Sequence, residues 1–200
     1  EMTALNICAV RRCAHIARTR PAAMIASRRR FIASSVTTPP SADRENFNEL
    51  RERSLLRHVI SSSTEGDPCS VMNAMDEFWS TYFNGEGTAE WKLRGGALDQ
   101  AIRSKSPTSA MEIGAYCGYT AVRIGRLMPE DGKLVSIEID PLFAAIATKV
   151  VEHAGLSHKV SVEIGSLAER LPALQRKGKL QGTLGAVLLD HETSHYLPDL

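Results

Sequence analysis

Met111-Glu112-Ile113-Gly114-Ala115-Tyr116-Cys117-Gly118-Tyr119-Thr120 is followed, after a polar break, by Leu134-Val135-Ser136-Ile137-Glu138-Ile139-Asp140. A short apolar run ends on closely spaced glycines, and a second apolar run ends on a carboxylate. That order predicts a buried strand, a tight turn, a helix and a second buried strand. Parallel strands joined in this way form a nucleoside-binding crevice, because ligands of open parallel sheets bind at the carboxyl ends of the strands. Gly114 and Gly118 let the backbone bend beneath a ligand without a Cβ in the way. Glu138 lies 20 residues past Gly118. At that strand end its carboxylate can accept hydrogen bonds from both hydroxyls of a ribose.

The glycine spacing narrows the choice of nucleoside. A dinucleotide fingerprint reads Gly-x-Gly-x-x-Gly, and its second glycine lets the backbone approach a pyrophosphate. Tyr116 stands in that place. A diphosphate is therefore disfavoured, and with it a nicotinamide-dependent oxidoreductase, the alternative that shares this strand, turn and helix. S-adenosylmethionine, which has ribose and adenine but no phosphate, is the expected cofactor.

The pattern continues on both sides. Strand Ala110–Gly114 leads to a helix over 120–128, strand 134–139 to a helix over 141–153, strand 160–164 to a helix over 167–175, and strand 186–189 delivers Asp190. Strands alternating with helices imply an α/β fold, a Rossmann-like parallel sheet with helices on both faces. Upstream, Leu50, Leu55, Leu56, Val59 and Ile60 space one apolar helical face over 46–61. A second helix is expected over 70–82, and a third from Gly95 to Arg103. These three helices are expected to cap the sheet rather than carry chemistry.

Every polar residue of interest falls at a strand end. Glu112 and the 114–118 turn, with Tyr116, end the first strand; Tyr119 and Thr120 open the next helix, where the Thr120 hydroxyl can serve as a cap. Ile139 offers an apolar surface to adenine beside Glu138. Ser166 and Leu167 end the third strand, where they would border the adenine or simply cap a helix. Asp190 ends an apolar strand and can bind a divalent cation or the amino group of the cofactor. His191, Glu192, Ser194 and His195 crowd the same loop, which can include a general base.

The formal net charge is +1, so no global electrostatic case exists for a nucleic-acid partner. No apolar run approaches the ~18 residues of a membrane-spanning helix. Residues 2–42 contain seven arginines, no lysine and no acidic residue, which leaves the rest net acidic. Together with Arg29-Arg30-Phe31-Ile32-Ala33-Ser34, this resembles a mitochondrial or plastid transit peptide. The expected division is a basic leader and linker over 1–45 and, over 46–200, one domain of N-terminal helices and the first four strands of the sheet. The four cysteines, Cys8, Cys13, Cys69 and Cys117, have no metal-like spacing and fit a reducing compartment. The chain is expected inside the cell: in an organelle if the leader acts as a transit peptide, in the cytoplasm otherwise.

Glu-Ile-Gly-Ala-Tyr-Cys-Gly-Tyr-Thr, then Ile-Glu-Ile-Asp-Pro, then Leu-Leu-Asp-His and Tyr-Leu-Pro-Asp closely resemble the catechol O-methyltransferase family. Leu55-Leu56-Arg57-His58-Val59-Ile60 and Gly66-Asp67-Pro68 resemble its first helices, so the likeness covers roughly residues 50–200. It implies a class I methyltransferase fold and a monomer that carries methyl from S-adenosylmethionine to a catechol or related phenol, with Mg2+ assistance. Glu112, Gly114, Tyr116, Gly118, Tyr119, Thr120, Glu138, Ile139, Ser166, Leu167, Asp190 and His191 would hold the cofactor, and Asp190 would be the first metal ligand. The metal would bind both catechol oxygens and acidify one hydroxyl.

The chain departs from the family where the base stands. Thr193 occupies the place of the family's lysine, and Glu192 that of its aromatic gatekeeper. His195 and Glu192 are the candidate substitutes for the base. A non-catalytic methyltransferase-like binding or scaffold protein is the alternative that Thr193 favours. The remaining metal ligands and further strands of the family would lie beyond Leu200, so an incomplete sheet is expected.

Overall fold

The structure, a computed structural model, describes residues 5–8, 24–26, 41–85, 88–180, 182–197 and 199. In chain order the elements are β1 (Leu5–Cys8), β2 (Met24–Ala26), α1 (Ser41–Ser62), α2 (Pro68–Tyr82), α3 (Thr88–Lys105) and β3 (Ser109–Ile113). Then come α4 (Tyr119–Gly125), β4 (Lys133–Glu138), α5 (Pro141–His153), β5 (Val160–Ile164), α6 (Leu167–Arg176) and β6 (Ala186–Leu189), with a 3-10 turn at Thr193–His195. The sheet order is β1-β2-β6-β3-β4-β5, and every pairing is parallel.

Period-two alternation sorts the strand residues onto two faces. Ala110, Leu134, Val160, Ala186 and Leu188 point to one face, where they meet Leu55, Val71, Met75, Ile102, Val122 and Val150 from α1 to α5. Met111, Ile113, Val135, Ile137 and Leu189 point to the other, against Leu174, Leu171 and Leu180. Burial of each such side chain contributes about 1.5–3 kcal/mol. Both faces are covered, which is why the strands read as nearly continuous apolar runs.

Helix ends follow their capping residues. Asp67 accepts from the N–H of Cys69 at 2.9 Å and Ser70 at 3.1 Å, with Pro68 in the first turn of α2. Asp140 accepts from Leu142 at 2.8 Å and Phe143 at 3.2 Å, with Pro141 in the first turn of α5. Ser166 and Glu169 form a reciprocal capping box on α6.

Helix α3 begins at Thr88, not Gly95. Gly95 lies inside it because a Cβ there would fall 2.3 Å from Nη1 of Arg123. Helix α4 starts after Gly118 with no side-chain cap, so Thr120 is a first-turn residue rather than the cap.

Of the expected leader, Leu5–Cys8 and Met24–Ala26 are strands of the sheet, β2 pairing Met24, Ile25 and Ala26 with Val187, Leu188 and Leu189. The Arg29–Ser34 motif lies outside the described residues. Among the described residues no helix is long and apolar enough to cross a membrane.

Candidate functional site

β3 pairs with β4 on one side and β6 on the other, so the strand order reverses at β3. The crevice beyond such a reversal is where a parallel sheet holds its ligand. The turn leaving β3 builds its floor. Gly114, Tyr116 and Gly118 alternate at φ of +97°, +48° and +86°, and the N–H groups of Gly114 and Ala115 both donate to Ile137 O, at 2.8 and 3.1 Å.

The two glycines make room for the protein itself. A Cβ on Gly114 would fall 2.6 Å from Asp190 O and 2.9 Å from His191 N. One on Gly118 would fall 3.0 Å from Ala147 Cα. Glycine therefore lets the β6 loop and α5 close onto the turn, and the expected space beneath a ligand is taken by these neighbours.

Glu138 ends β4 with 8% exposure. Its Oε2 accepts from the Tyr116 N–H at 2.6 Å and its Oε1 from the Asp140 N–H at 3.0 Å. A carboxylate has about four lone-pair directions, so two remain after these bonds. Next to it Ile139 is 70% exposed, and Ile164, which pairs across from Glu138, is 42% exposed. A buried carboxylate flanked by bare aliphatic side chains can take a nucleoside, with its diol on the carboxylate and its base on the isoleucines. Ser166 is engaged as the α6 cap, and Leu167 packs into the core beneath the sheet.

Glu112 is fully buried and accepts from the Ser136 hydroxyl at 2.5 Å, its partner across the strands. The Tyr119 hydroxyl accepts from Arg123 at 3.0 Å, within a network in which Asp99 binds Arg123 at 2.7 Å and Arg126 at 2.6 Å.

Tyr116 joins the turn to the upstream helices. Its hydroxyl donates to the buried carboxylate of Glu52, and Arg51 binds that same carboxylate. The Tyr116 ring meets Phe143 edge-on at 4.9 Å and stacks against Trp79 at 6.2 Å. Burial pushes the Tyr116 phenol well above its ordinary range; the fields of Cys117 and Glu52 push the same way, against Arg51. Helices α1 and α2 thus reach the site, contrary to the expectation that they only cap the sheet. Glu52, Arg51, Trp79 and Phe143 were not singled out by the sequence. One signal was present: Glu52 precedes Leu55, Leu56 and Val59 by three, four and seven positions, a carboxylate on an apolar stripe.

At β6 the Asp190 N–H donates to Ile113 O at 2.9 Å, which locks the loop to the end of β3. His191 Nε2 lies 2.7 Å from Asp199, and the Tyr196 hydroxyl donates to Leu189 O at 3.1 Å. Glu192, Thr193, Ser194 and His195 are exposed on the following turn. Among the described residues no three His, Cys, Asp or Glu side chains gather as a metal site.

An O-methyltransferase family model matches residues 95–198. Catechol O-methyltransferase of Mus musculus is 40% identical over 154 residues, covering 74% of this chain and 55% of that protein. The Bos taurus catechol O-methyltransferase is 37% identical over 155 residues, covering 75% and 54%. The chain thus spans about half the length of these curated relatives. Among solved structures, the O-methyltransferase TomG from Streptomyces achromogenes, in complex with SAM, is 30% identical over 52% of this chain and 45% of its own, at a TM-score of 0.48.

Proposed function

This chain belongs to the O-methyltransferase family, and on that footing we propose that its crevice holds S-adenosylmethionine and delivers the methyl group to a catechol-type hydroxyl. The observation that supports this most is Glu138, nearly buried and bonded to the Tyr116 N–H, with Ile139 bare beside it. Glu138 would bind the ribose diol, and Ile139 the adenine. Ser166 and Leu167 would border the adenine, and Gly114 to Thr120 would run beneath the methionine end, with Glu112 and His191 around it. The bound cofactor supplies an electrophilic methyl on a sulfonium. Glu192 or His195 would take the proton of the acceptor hydroxyl, and the residues of the crevice would hold its oxygen against the methyl group of the cofactor. Holding oxygen, carbon and sulfur in line is the contribution asked of the crevice.

The catechol acceptor is proposed from the relatives' names. Mg2+ suits such an acceptor, and Asp190 would give it one carboxylate, though the described residues do not complete a site. Glu192 and His195 are proposed as proton acceptors, because the hydroxyl of Thr193 is not basic at neutral pH. Incubating the full chain with catechol and methyl-labelled S-adenosylmethionine, with and without Mg2+, tests the proposal. Label in a methylated catechol, lost with a chelator and reduced by orders of magnitude in His195→Ala, is the expected result. Thr193 favours a second reading, a cofactor-binding module without turnover. Tight cofactor binding with no labelled product from any phenol would select it.

A further inference from the structure

We propose that Arg51 is a positioning residue for the cofactor turn, acting through Glu52 and Tyr116; this rests on reading the crevice as an S-adenosylmethionine site. The Arg51 guanidinium sits at the meeting point of three elements. Its Nε donates to Glu52 Oε1 at 2.8 Å, and its Nη2 reaches both that carboxylate and, at 3.2 Å, the Tyr116 hydroxyl. Its carbon lies 5.5 Å from the Trp79 ring centroid and 5.6 Å from that of Tyr82. Trp79 in turn stacks against Tyr116 with 28° between the rings. One side chain of α1 therefore touches the carboxylate that holds the Tyr116 hydroxyl, the hydroxyl itself, and the α2 ring packed on the tyrosine.

The dependence runs in one direction. Glu52 is 0% exposed, and its Oε2 has no hydrogen-bond partner among the described residues. Removing the partner of a buried carboxylate is strongly unfavourable, and Arg51 is a cation bonded to this one. Tyr116 carries the effect onward. Its phenol is held by Glu52 and its backbone N–H by Glu138, and its φ of +48° leaves little freedom between the two anchors. A shift of the phenol moves the N–H, and with it the carboxylate assigned to the ribose. Lysine cannot replace this arrangement, because a point charge lacks the planar fork that serves two oxygens while lying on two rings.

A clamp that merely fastened α1 to α2 would affect stability and leave cofactor affinity alone. Calorimetric titration with S-adenosylmethionine, run beside thermal unfolding, separates the two roles in the full chain. The variants are Arg51→Lys, the double variant Arg51→Met with Glu52→Gln, Tyr116→Phe, and the triple variant. The double variant removes both charges together, so no lone buried ion is left to unfold the protein. The proposal expects it to unfold near the wild-type temperature and to bind the cofactor about tenfold more weakly, with Arg51→Lys in between. In the Tyr116→Phe background the same double change should cost almost nothing further, because the relay is already broken. Wild-type affinity in the folded double variant would overturn the proposal, as would an undiminished loss in the Tyr116→Phe background. A wild-type chain that fails to bind S-adenosylmethionine would instead remove the cofactor reading on which the proposal stands.

Discussion

The carboxylate of Glu138 receives the backbone N–H of Tyr116 at 2.6 Å, tying the end of β4 to the turn that leaves β3. Its other oxygen holds the N–H of Asp140, the residue that caps α5. One side chain therefore sets the turn, the strand end and the next helix start. Glu138→Gln should cost about 1–3 kcal/mol, the scale for losing charge-assisted bonds to a nearly buried group. Urea denaturation reads this directly. An unchanged midpoint would mean that the turn holds its shape without the carboxylate.

Gly114→Ala should be among the most damaging single-methyl additions. The new Cβ would fall 2.6 Å from Asp190 O at a φ of +97°, so steric overlap adds to backbone strain, for about 2–4 kcal/mol together. Gly96→Ala is the counterpart. It lies in α3 with nothing within 4 Å of its Cβ position, and alanine there should stabilise by about 0.5–1 kcal/mol. Opposite signs for the two substitutions, measured as thermal midpoints, are the expected outcome.

The Tyr116 phenol gives an alkaline signature. Burial raises it above the ordinary value of 10.0. The unfolded chain therefore releases this proton at lower pH than the folded one does. Its contribution to stability is fully present below the ordinary phenol range and is lost as pH rises beyond it. Urea midpoints measured from pH 8 to 11 should fall more steeply for the wild type than for Tyr116→Phe. Parallel curves would show that the phenol is not buried in the native state.

Asp99 holds two guanidiniums, from Arg123 at 2.7 Å and Arg126 at 2.6 Å. Side-chain exposure across the trio is 12–19%. Asp99→Ala leaves two mostly buried cations facing each other and should cost about 2–4 kcal/mol. Adding Arg126→Met should recover part of the loss, because it relieves that repulsion. A double variant no more stable than Asp99→Ala alone would contradict this.

Much of the frame was legible because its signals are local. The α5 helix over Pro141–His153 and the strands Val160–Ile164 and Ala186–Leu189 match their sequence marks, since a proline after a capping aspartate and short apolar runs are decided by neighbours in the chain. Helix α3 starts at Thr88 rather than at Gly95, and Gly95 fits inside it because the side chain of Arg123, 28 residues later, occupies the space of the missing Cβ. The candidate site divides in the same way. Glu138 and the glycine turn declare themselves by spacing. Arg51 and Glu52 act on Tyr116 across more than 60 residues of chain, and no local pattern encodes that distance.

The most direct test of the account is calorimetric titration of the full wild-type chain with S-adenosylmethionine and with a nicotinamide dinucleotide, repeated on Glu138→Ala. The account predicts saturable binding of S-adenosylmethionine, at least about tenfold weaker binding in the variant, and no binding of the dinucleotide. Binding of the dinucleotide, or S-adenosylmethionine affinity indifferent to Glu138, would contradict it.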